Sequence, residues 1–331
     1  MARIAVDAMG GDFAPQAVVR GAESACREKI VEQIILTGNE DLIKPLIKEP
    51  KGIEIVHAPV SVEMHETPSG ALRKKRDSSM NRGFELLKSG AVQAVVTAGN
   101  SGAALAFAIF TLGRIGMVDR PAIATIHPNI KGGITVLMDA GGNVDCKPAH
   151  LIQFAIMGDA FVRSVFGIKS PRIGLLSNGQ EETKGNELTR EVHTMMKNVD
   201  INYIGYVEGT DLHNGCTDVV VCDGFVGNVA LKISEGIAES LLSFFKESVE
   251  KSITKRIGYF FMKDAFEELR KKVDYSEHGG APLLGVDGIC IICHGKSDEK
   301  AIKNAIRLAR NFIDKNLNES IKETMISYFQ S

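Results

Sequence analysis

Neither sign of charge is in excess in this chain. Its 39 basic residues face 41 acidic ones, which argues against nucleic-acid binding through a global positive field and leaves any basic site local. No apolar run approaches the roughly 18 residues that a membrane span requires. Arg3-Ile-Ala-Val opens a strand at once, so no amino-terminal signal is expected and the chain is expected in the cytosol. Cysteine is scarce, with six in 331 residues, mostly in or beside apolar runs, as suits a reducing compartment. Cys290-Ile-Ile-Cys293-His294 matches a haem-attachment spacing, but it sits in a buried-strand pattern in which positions three apart face opposite ways. These are expected to be core thiols. A second close ligand pair is missing, so no metal is expected. Also missing are Gly-x-Gly-x-x-Gly after the first strand, a Walker loop and a Gly-x-Ser-x-Gly elbow, which points away from a standard NAD or ATP fold and from a serine nucleophile; no cofactor is expected. No low-complexity linker or repeat divides the chain.

What the chain does have is a recurring loop. Five apolar, strand-like runs end in Gly with Asn or Asp: Asp7-Ala-Met-Gly-Gly-Asp12, Ala98-Gly-Asn-Ser-Gly102, Asp139-Ala-Gly-Gly-Asn-Val-Asp145, Ser177-Asn-Gly-Gln-Glu-Glu-Thr-Lys-Gly-Asn186 and Asp223-Gly-Phe-Val-Gly-Asn228. Any one of them alone is best read as a tight strand-to-helix turn. Together they suggest one composite anion pocket, because strand ends in an open α/β sheet share an edge and helix starts offer unpaired N–H groups. Asn100, Asn143, Asn186 and Asn228 add amide donors.

Apolar periodicity predicts strands near 3–6, 33–37, 53–57, 92–97, 121–126, 133–138, 172–176, 203–207, 218–222 and 288–293. Helices are expected near 15–29, 39–48, 78–89, 102–115, 149–166, 184–198, 225–252, 257–272 and 298–315. This alternation implies a three-layer αβα sandwich with a mainly parallel sheet. One domain over 1–331 is expected, with room for two lobes around a cleft, and 240–275 is expected to form a protruding helical hairpin.

Val6-Asp-Ala-Met-Gly-Gly-Asp12, Thr97-Ala-Gly-Asn-Ser-Gly-Ala103, Gly174 to Leu188 and Asp223-Gly-Phe-Val-Gly-Asn228 together resemble the bacterial phosphate acyltransferase family, and the likeness extends over essentially the whole chain. The resemblance implies an isocitrate/isopropylmalate-dehydrogenase-like fold shared with phosphotransacetylases, a homodimer, and conversion of long-chain acyl-carrier protein and inorganic phosphate to acyl phosphate. It further implies a downstream acyl-phosphate:glycerol-3-phosphate acyltransferase as partner. Two positions depart from the family pattern: Gly142 stands where Ala is expected, and Gln180 where Glu is common.

Phosphate is a nucleophile at neutral pH, so attack on a thioester needs a cationic cradle and donors for the developing oxyanion more than an activated side chain. Lys184, expected to begin a helix against its macrodipole, is the first candidate for phosphate, and Asn228 for phosphate or oxyanion. Gly185, Asn186, Gly227 and Asn143 in the same loops, Asn100, Ser101 and Gly102 as donors at another helix start, and Gly10 and Gly11 in the first loop are further candidates for binding substrate or phosphate. Asp7 and Asp12 either orient partners or cap the first helix.

Arg73-Lys74-Lys75-Arg76 is either a solvated helix face, a steering patch for an acidic carrier protein, or, for Arg73 and Lys74, a phosphate contact. His65 nearby is a candidate proton donor to the leaving thiolate. Ile253, Ile257, Phe260 and Phe261 form an apolar stripe flanked by Lys and Arg, suited to a membrane interface or a dimer core, and Gly258 is expected to break the helix there. Peripheral association with the inner face of the membrane is one expectation. Three other functions share these features: a short-chain phosphotransacetylase, a metal-dependent NAD hydroxy-acid dehydrogenase using Asp139, Asp145 and Asp223, and a noncatalytic scaffold for the carrier protein.

Overall fold

The computed structural model describes residues 2–273 and 279–330. Eleven strands form one sheet: β1 (Arg3–Asp7), β2 (Gln33–Gly38), β3 (Ile53–His57), β4 (Ala94–Thr97), β5 (Ala122–Pro128), β6 (Ile134–Met138), β7 (Ile173–Leu176), β8 (Tyr203–Val207), β9 (Val219–Val221), β10 (Ala281–Leu284) and β11 (Ile289–Ile292), in the order β3-β2-β1-β4-β11-β10-β5-β6-β9-β7-β8. The described helices are α1 (Gln16–Arg27), α2 (Glu40–Ile43), α3 (Pro68–Lys74), α4 (Ser79–Lys88), α5 (Ser101–Thr111), α6 (Pro148–Phe166), α7 (Glu187–Met196), α8 (Asp211–Asn214), α9 (Gly224–Glu250), α10 (Ile253–Phe261), α11 (Lys263–Val273), α12 (Glu299–Asp314) and α13 (Leu317–Gln330).

Strand periodicity builds the three layers. Ile4, Val6, Val136, Met138, Val219 and Val221 point into a core shared with α1, α6, α12 and α13. Their neighbours Ala5, Leu137 and Val220 point into a second core with α4 and α5. Both faces are buried, so the strands read as continuous apolar runs, as parallel sheets require. Phe154, Phe161 and Phe312 are fully buried in the first core, each stabilising the fold by roughly 1.5–3 kcal/mol.

The sheet is two parallel halves pointing opposite ways. β3, β2, β1, β4 and β11 run together, and so do β6, β9, β7 and β8. β10 is antiparallel to β11 and β5, and β5 is antiparallel to β6, so direction reverses across the centre. Thus the premise that all strand ends share an edge does not hold. The loops at 7–12 and 98–102 leave one edge, and those at 139–145, 177–186 and 223–228 leave the other.

The expected elements need correction in several places. β10, a four-residue strand containing Pro282, lies between β11 and β5 where periodicity predicts nothing. α3 and α13 also go unpredicted. The helix expected from 184 starts at Glu187, because Asn186 caps it and exchanges reciprocal bonds with Thr189. The helix expected over 257–272 is instead α10 and α11, broken at Met262; Gly258 lies inside α10.

Candidate active site

β6, β9 and β7 are adjacent and parallel, so their carboxyl ends bring three of the five loops together. Asp139 organises the first of them. It is fully buried and accepts hydrogen bonds from Ile123 N (3.0 Å), Gly142 N (2.9 Å), Asn143 N (2.7 Å) and Asn143 Nδ2 (2.8 Å). Burial raises its pKa and those four bonds oppose the rise.

Helix α9 begins against this loop. Asp223 caps it, accepting from Phe225 N and Val226 N at 3.0 Å each, and thereby offsets the unpaired donors of the first turn. Gly227 lets the turn approach: a Cβ there would lie 1.8 Å from the Asp139 carbonyl oxygen. The next residue, Asn228, is exposed beside Gly141, and among the described residues its amide has no hydrogen-bond partner.

Lys184 lies in the turn before α7, not in its first helical turn, so the macrodipole argument for it falls away. What replaces that argument is its surroundings. Lys184 is half-buried and, among the described residues, forms no ion pair. A partly buried lysine that no carboxylate neutralises is suited to an anionic ligand. Its loop is internally braced: Gly185 N donates to Asn178 Oδ1 (2.8 Å) and Lys184 N to Glu181 O (2.9 Å). Gly185 has φ +87°, a left-handed backbone that suits glycine. Gln180 Nε2 donates to Asp211 Oδ2 at 3.1 Å, a fixed structural link.

The other edge carries the remaining candidates. Asp7 is buried and accepts from Thr97 Oγ1 (2.8 Å) and Met9 N (3.2 Å), its pKa raised by burial. Gly10 and Gly11 turn against the backbone of Ala98, Gly99 and Gly295, and Asp12 N donates to Gly295 O (2.7 Å). Asp12 does not cap α1, which starts at Gln16 behind Pro15 without a side-chain cap. Ser101 opens α5, and Gly102 packs on Pro68 of α3.

Two of the four asparagine donors are used internally. Asn100 gives its amide to Met64 O (2.8 Å) and Glu66 O (3.0 Å) while its oxygen caps α5. Asn143 gives its amide to Pro121 O (2.7 Å) and Asp139. Asn186 contributes its oxygen to the α7 cap.

Helix α9 links the two edges. Lys232, one turn beyond Asn228 and therefore on the same helical face, places Nζ 3.3 Å from His294 Nε2 and 2.8 Å from Glu235 Oε2. His294 follows β11, its pKa lowered by burial and then by Lys232. Sequence reading missed both. The signal was available: Cys293-His294-Gly295-Lys296-Ser297-Asp298 is a sixth polar Gly-containing loop after a strand.

The four consecutive basic residues do not act alike. Arg73, Lys74 and Arg76 are exposed, whereas Lys75 is bound to Ser61 O (2.6 Å) and ion-paired with Glu66. They end α3, on the side of Asn100, and His65 is exposed nearby. On α10, Ile253, Ile257, Phe260 and Phe261 are all exposed, Phe260 at 74% and Phe261 at 81%. Phe245, Tyr259 and Phe266 form a small aromatic cluster joining α9, α10 and α11, with Phe245 and Phe266 stacked at 4.0 Å. An apolar row also runs exposed along α9 through Val226, Val229, Ile233, Ile237, Leu241 and Phe244. Among the described residues no helix is long and apolar enough to cross a membrane.

Of the carboxylates that a metal-dependent dehydrogenase would need, Asp139 spends both oxygens on N–H groups. Asp223 Oδ1 accepts two backbone N–H groups, and Asp145 is exposed. Among the described residues no group of three or more His, Cys, Asp or Glu side chains is placed to hold a metal ion.

A doubly covered α/β sheet with a half-buried lysine and an unpartnered amide at adjacent strand ends defines a candidate anion-handling enzyme. The chain belongs to the fatty acid synthesis protein family, whose model matches residues 2–320. Relatives named phosphate acyltransferase include one from Geobacter sulfurreducens, 51% identical over 99% of this chain and 95% of its own length. Another, from Geotalea uraniireducens, is 52% identical over 98% and 94%. Among solved structures, a phosphotransacetylase from Streptococcus pyogenes superposes with TM-score 0.62 at 17% identity, covering 95% of this chain and 94% of that one. A branched-chain phosphotransacylase from Enterococcus faecalis gives 0.58 at 13% identity, covering 95% and 100%. A 4-hydroxythreonine-4-phosphate dehydrogenase from Klebsiella pneumoniae gives 0.53 at 13%, covering 93% and 98%. These structural likenesses establish the shared fold.

Proposed function

We propose that the chain transfers the acyl group of a long-chain acyl-carrier protein to inorganic phosphate, releasing acyl phosphate and the free carrier thiol. The observation that carries this reading is that Lys184, half-buried and without an ion pair among the described residues, and Asn228, whose amide has no hydrogen-bond partner among them, follow the neighbouring strands β7 and β9 in a chain whose relatives are named phosphate acyltransferase. Lys184 holds phosphate and lowers the cost of bringing a dianion against the thioester. A phosphate oxygen attacks the carbonyl carbon, and the C–O bond forms as negative charge moves onto the carbonyl oxygen. Asn228 Nδ2 donates to that oxyanion. Collapse of the tetrahedral intermediate breaks the C–S bond, and the thiolate leaves and takes up the proton that the attacking hydrogen phosphate dianion brought in, which gives the free thiol. No covalent enzyme intermediate is required, which agrees with the buried thiols: burial raises the pKa of Cys222, Cys290 and Cys293 and keeps them as neutral thiols.

Arg73, Lys74 and Arg76 supply the local positive charge that an acidic carrier protein would meet. The apolar row on α9 suits packing against a second copy of the chain, and the α10 tip suits shallow contact with a bilayer, near a downstream acyl-phosphate:glycerol-3-phosphate acyltransferase.

The test is release of thiol from palmitoyl-carrier protein with and without phosphate, following acyl phosphate directly. Phosphate-dependent turnover that falls about a hundredfold in Lys184→Ala is expected, the scale of one transition-state contact. Turnover only with short acyl-CoA would move the assignment to phosphotransacetylase. NAD reduction with a hydroxy acid and a divalent ion would overturn it.

A further inference from the structure

The loop that carries Lys184 is tied to the body of the protein at Glu182. The carboxylate of Glu182 lies 3.1 Å from His193 Nε2 and accepts from Lys197 Nζ at 3.0 and 2.9 Å. His193 and Lys197 stand one turn apart at the end of α7. The two contacts differ in kind. Lys197 is half-exposed and Glu182 largely exposed, and pairs of that sort contribute little. The His193 side chain is only 9% exposed, and it is fixed from two further directions. Its Nδ1 is 2.6 Å from Tyr203 Oη, and its ring stacks on Tyr206 at 4.3 Å and 16°. Tyr206 Oη in turn donates to Thr189 O at 3.3 Å, in the same turn that Asn186 caps. A chain of contacts therefore runs from β8, through His193, to a residue two positions before Lys184.

We infer that His193 and Glu182 are positioning residues for phosphate: they hold the 177–186 loop in the arrangement that presents Lys184, while touching neither substrate themselves. This rests on the reading of Lys184 as the phosphate ligand. The physical reason is conformational. The loop has no regular secondary structure, and its ammonium is useful only in an arrangement that meets phosphate. If the tie is cut, that arrangement becomes a fraction of the population, and the apparent affinity for phosphate falls by the same fraction. The chemical step, once phosphate is bound and the loop closed on it, is unchanged. KM for phosphate should therefore move and kcat should not.

Three variants test this in the full-length protein. His193→Phe keeps the ring on Tyr206 and removes both hydrogen bonds. Glu182→Gln changes an exposed side chain that folding does not depend on. Lys197→Ala cuts only the exposed pair. The expected result is a rise in KM for phosphate of about tenfold in His193→Phe, which loses the hydrogen bond to Glu182, and a rise of several-fold in Glu182→Gln, which keeps an acceptor but loses the charge that strengthens the bond. In both, kcat should stay within about twofold and KM for acyl-carrier protein should be unchanged, with Lys197→Ala close to wild type. The His193→Phe/Glu182→Gln double variant should be no worse than His193→Phe alone, because both cut one tie. Wild-type KM for phosphate in Glu182→Gln, a fall in kcat at constant KM, or additive effects in the double variant would each overturn the inference. Lys184→Ala, assayed alongside, separates the two levels. If that variant retains full activity, the reading of Lys184 fails; if it loses activity while Glu182→Gln does not, only the positioning role fails.

Discussion

Gly227→Ala tests whether the first turn of α9 is seated as tightly as the geometry requires. The new methyl would start 1.8 Å from the Asp139 carbonyl oxygen, 2.9 Å from its carbon and 3.0 Å from Cys222 Sγ. Two of these three neighbours are backbone atoms, and no side-chain rotation relieves the clash. The helix start must retreat by about 1 Å or more before the contact reaches the 3.0 Å below which such atoms are essentially never found. Asn228 is the next residue and moves with it. Overpacking of this kind costs about 1–3 kcal/mol of stability, and displacing a group that positions the reacting atoms by about 1 Å costs on the order of a hundredfold in rate. The expected outcome is a lower urea midpoint and a kcat/KM for phosphate-dependent thiol release reduced about a hundredfold. Gly209→Ala is the control, since a Cβ there meets nothing within 4 Å, and it should behave as wild type in both measurements. If Gly227→Ala kept wild-type kcat/KM and an unchanged midpoint, the argument from close approach would be wrong.

Asp218 gives a pH dependence of known sign. Burial raises its pKa, but hydrogen bonds from Arg172 Nε (2.9 Å), Nη2 (2.8 Å) and N (2.8 Å) outweigh burial and leave it below 3.8. A depressed folded pKa means stabilisation that is complete above 3.8 and lost as pH falls through the folded value. Asp218→Asn should therefore be less stable than wild type by about 1–3 kcal/mol at pH 7, with the gap closing in urea titrations taken below pH 3.8. Reversing Arg73, Lys74 and Arg76 to Glu should raise KM for acyl-carrier protein about tenfold at low salt and flatten its salt dependence, leaving KM for phosphate alone; an equal rise for phosphate would assign these residues to the anion pocket. Phe260→Asp/Phe261→Asp should abolish co-sedimentation with anionic vesicles while sedimentation equilibrium still reports the wild-type mass; a shift to a smaller species would make the stripe a subunit contact.

The layers were legible in the sequence because short, nearly continuous apolar runs such as Ile134–Met138 and Val219–Val221 mark strands buried on both faces. Strand direction was not, because an apolar run is the same read either way. The reversal depends on β10, whose four residues include a proline and carry no periodic signal. The start of α7 was readable in principle from Asn186 and Thr189, a reciprocal cap that outranks the general helical pattern extending back to Lys184. The fate of Asn100 and Asn143 was not readable: a sequence gives the capacity of an amide to donate, whereas its use depends on carbonyls such as Met64 O and Pro121 O brought up from other loops. Lys184 and Asn228 were singled out from their motifs, whereas the tie between Glu182 and His193 joins residues eleven positions apart through a turn that no local pattern specifies.

Helix α9 runs unbroken for 27 residues from the turn that carries Asn228 to the start of the α10 tip, a rod of about 40 Å. A long acyl chain extends about one leaflet, or half of the roughly 30 Å hydrocarbon thickness of a bilayer. On the reading proposed above, with the α10 tip on lipid, α9 upright and the acyl carbonyl at Asn228, the stretch from Asn228 to Glu250 rises about 33 Å, roughly twice the length of the chain. That reading makes delivery of the product an event separate in time from bond making, with a rate of its own that an assay in detergent-free solution and one on vesicles would report differently.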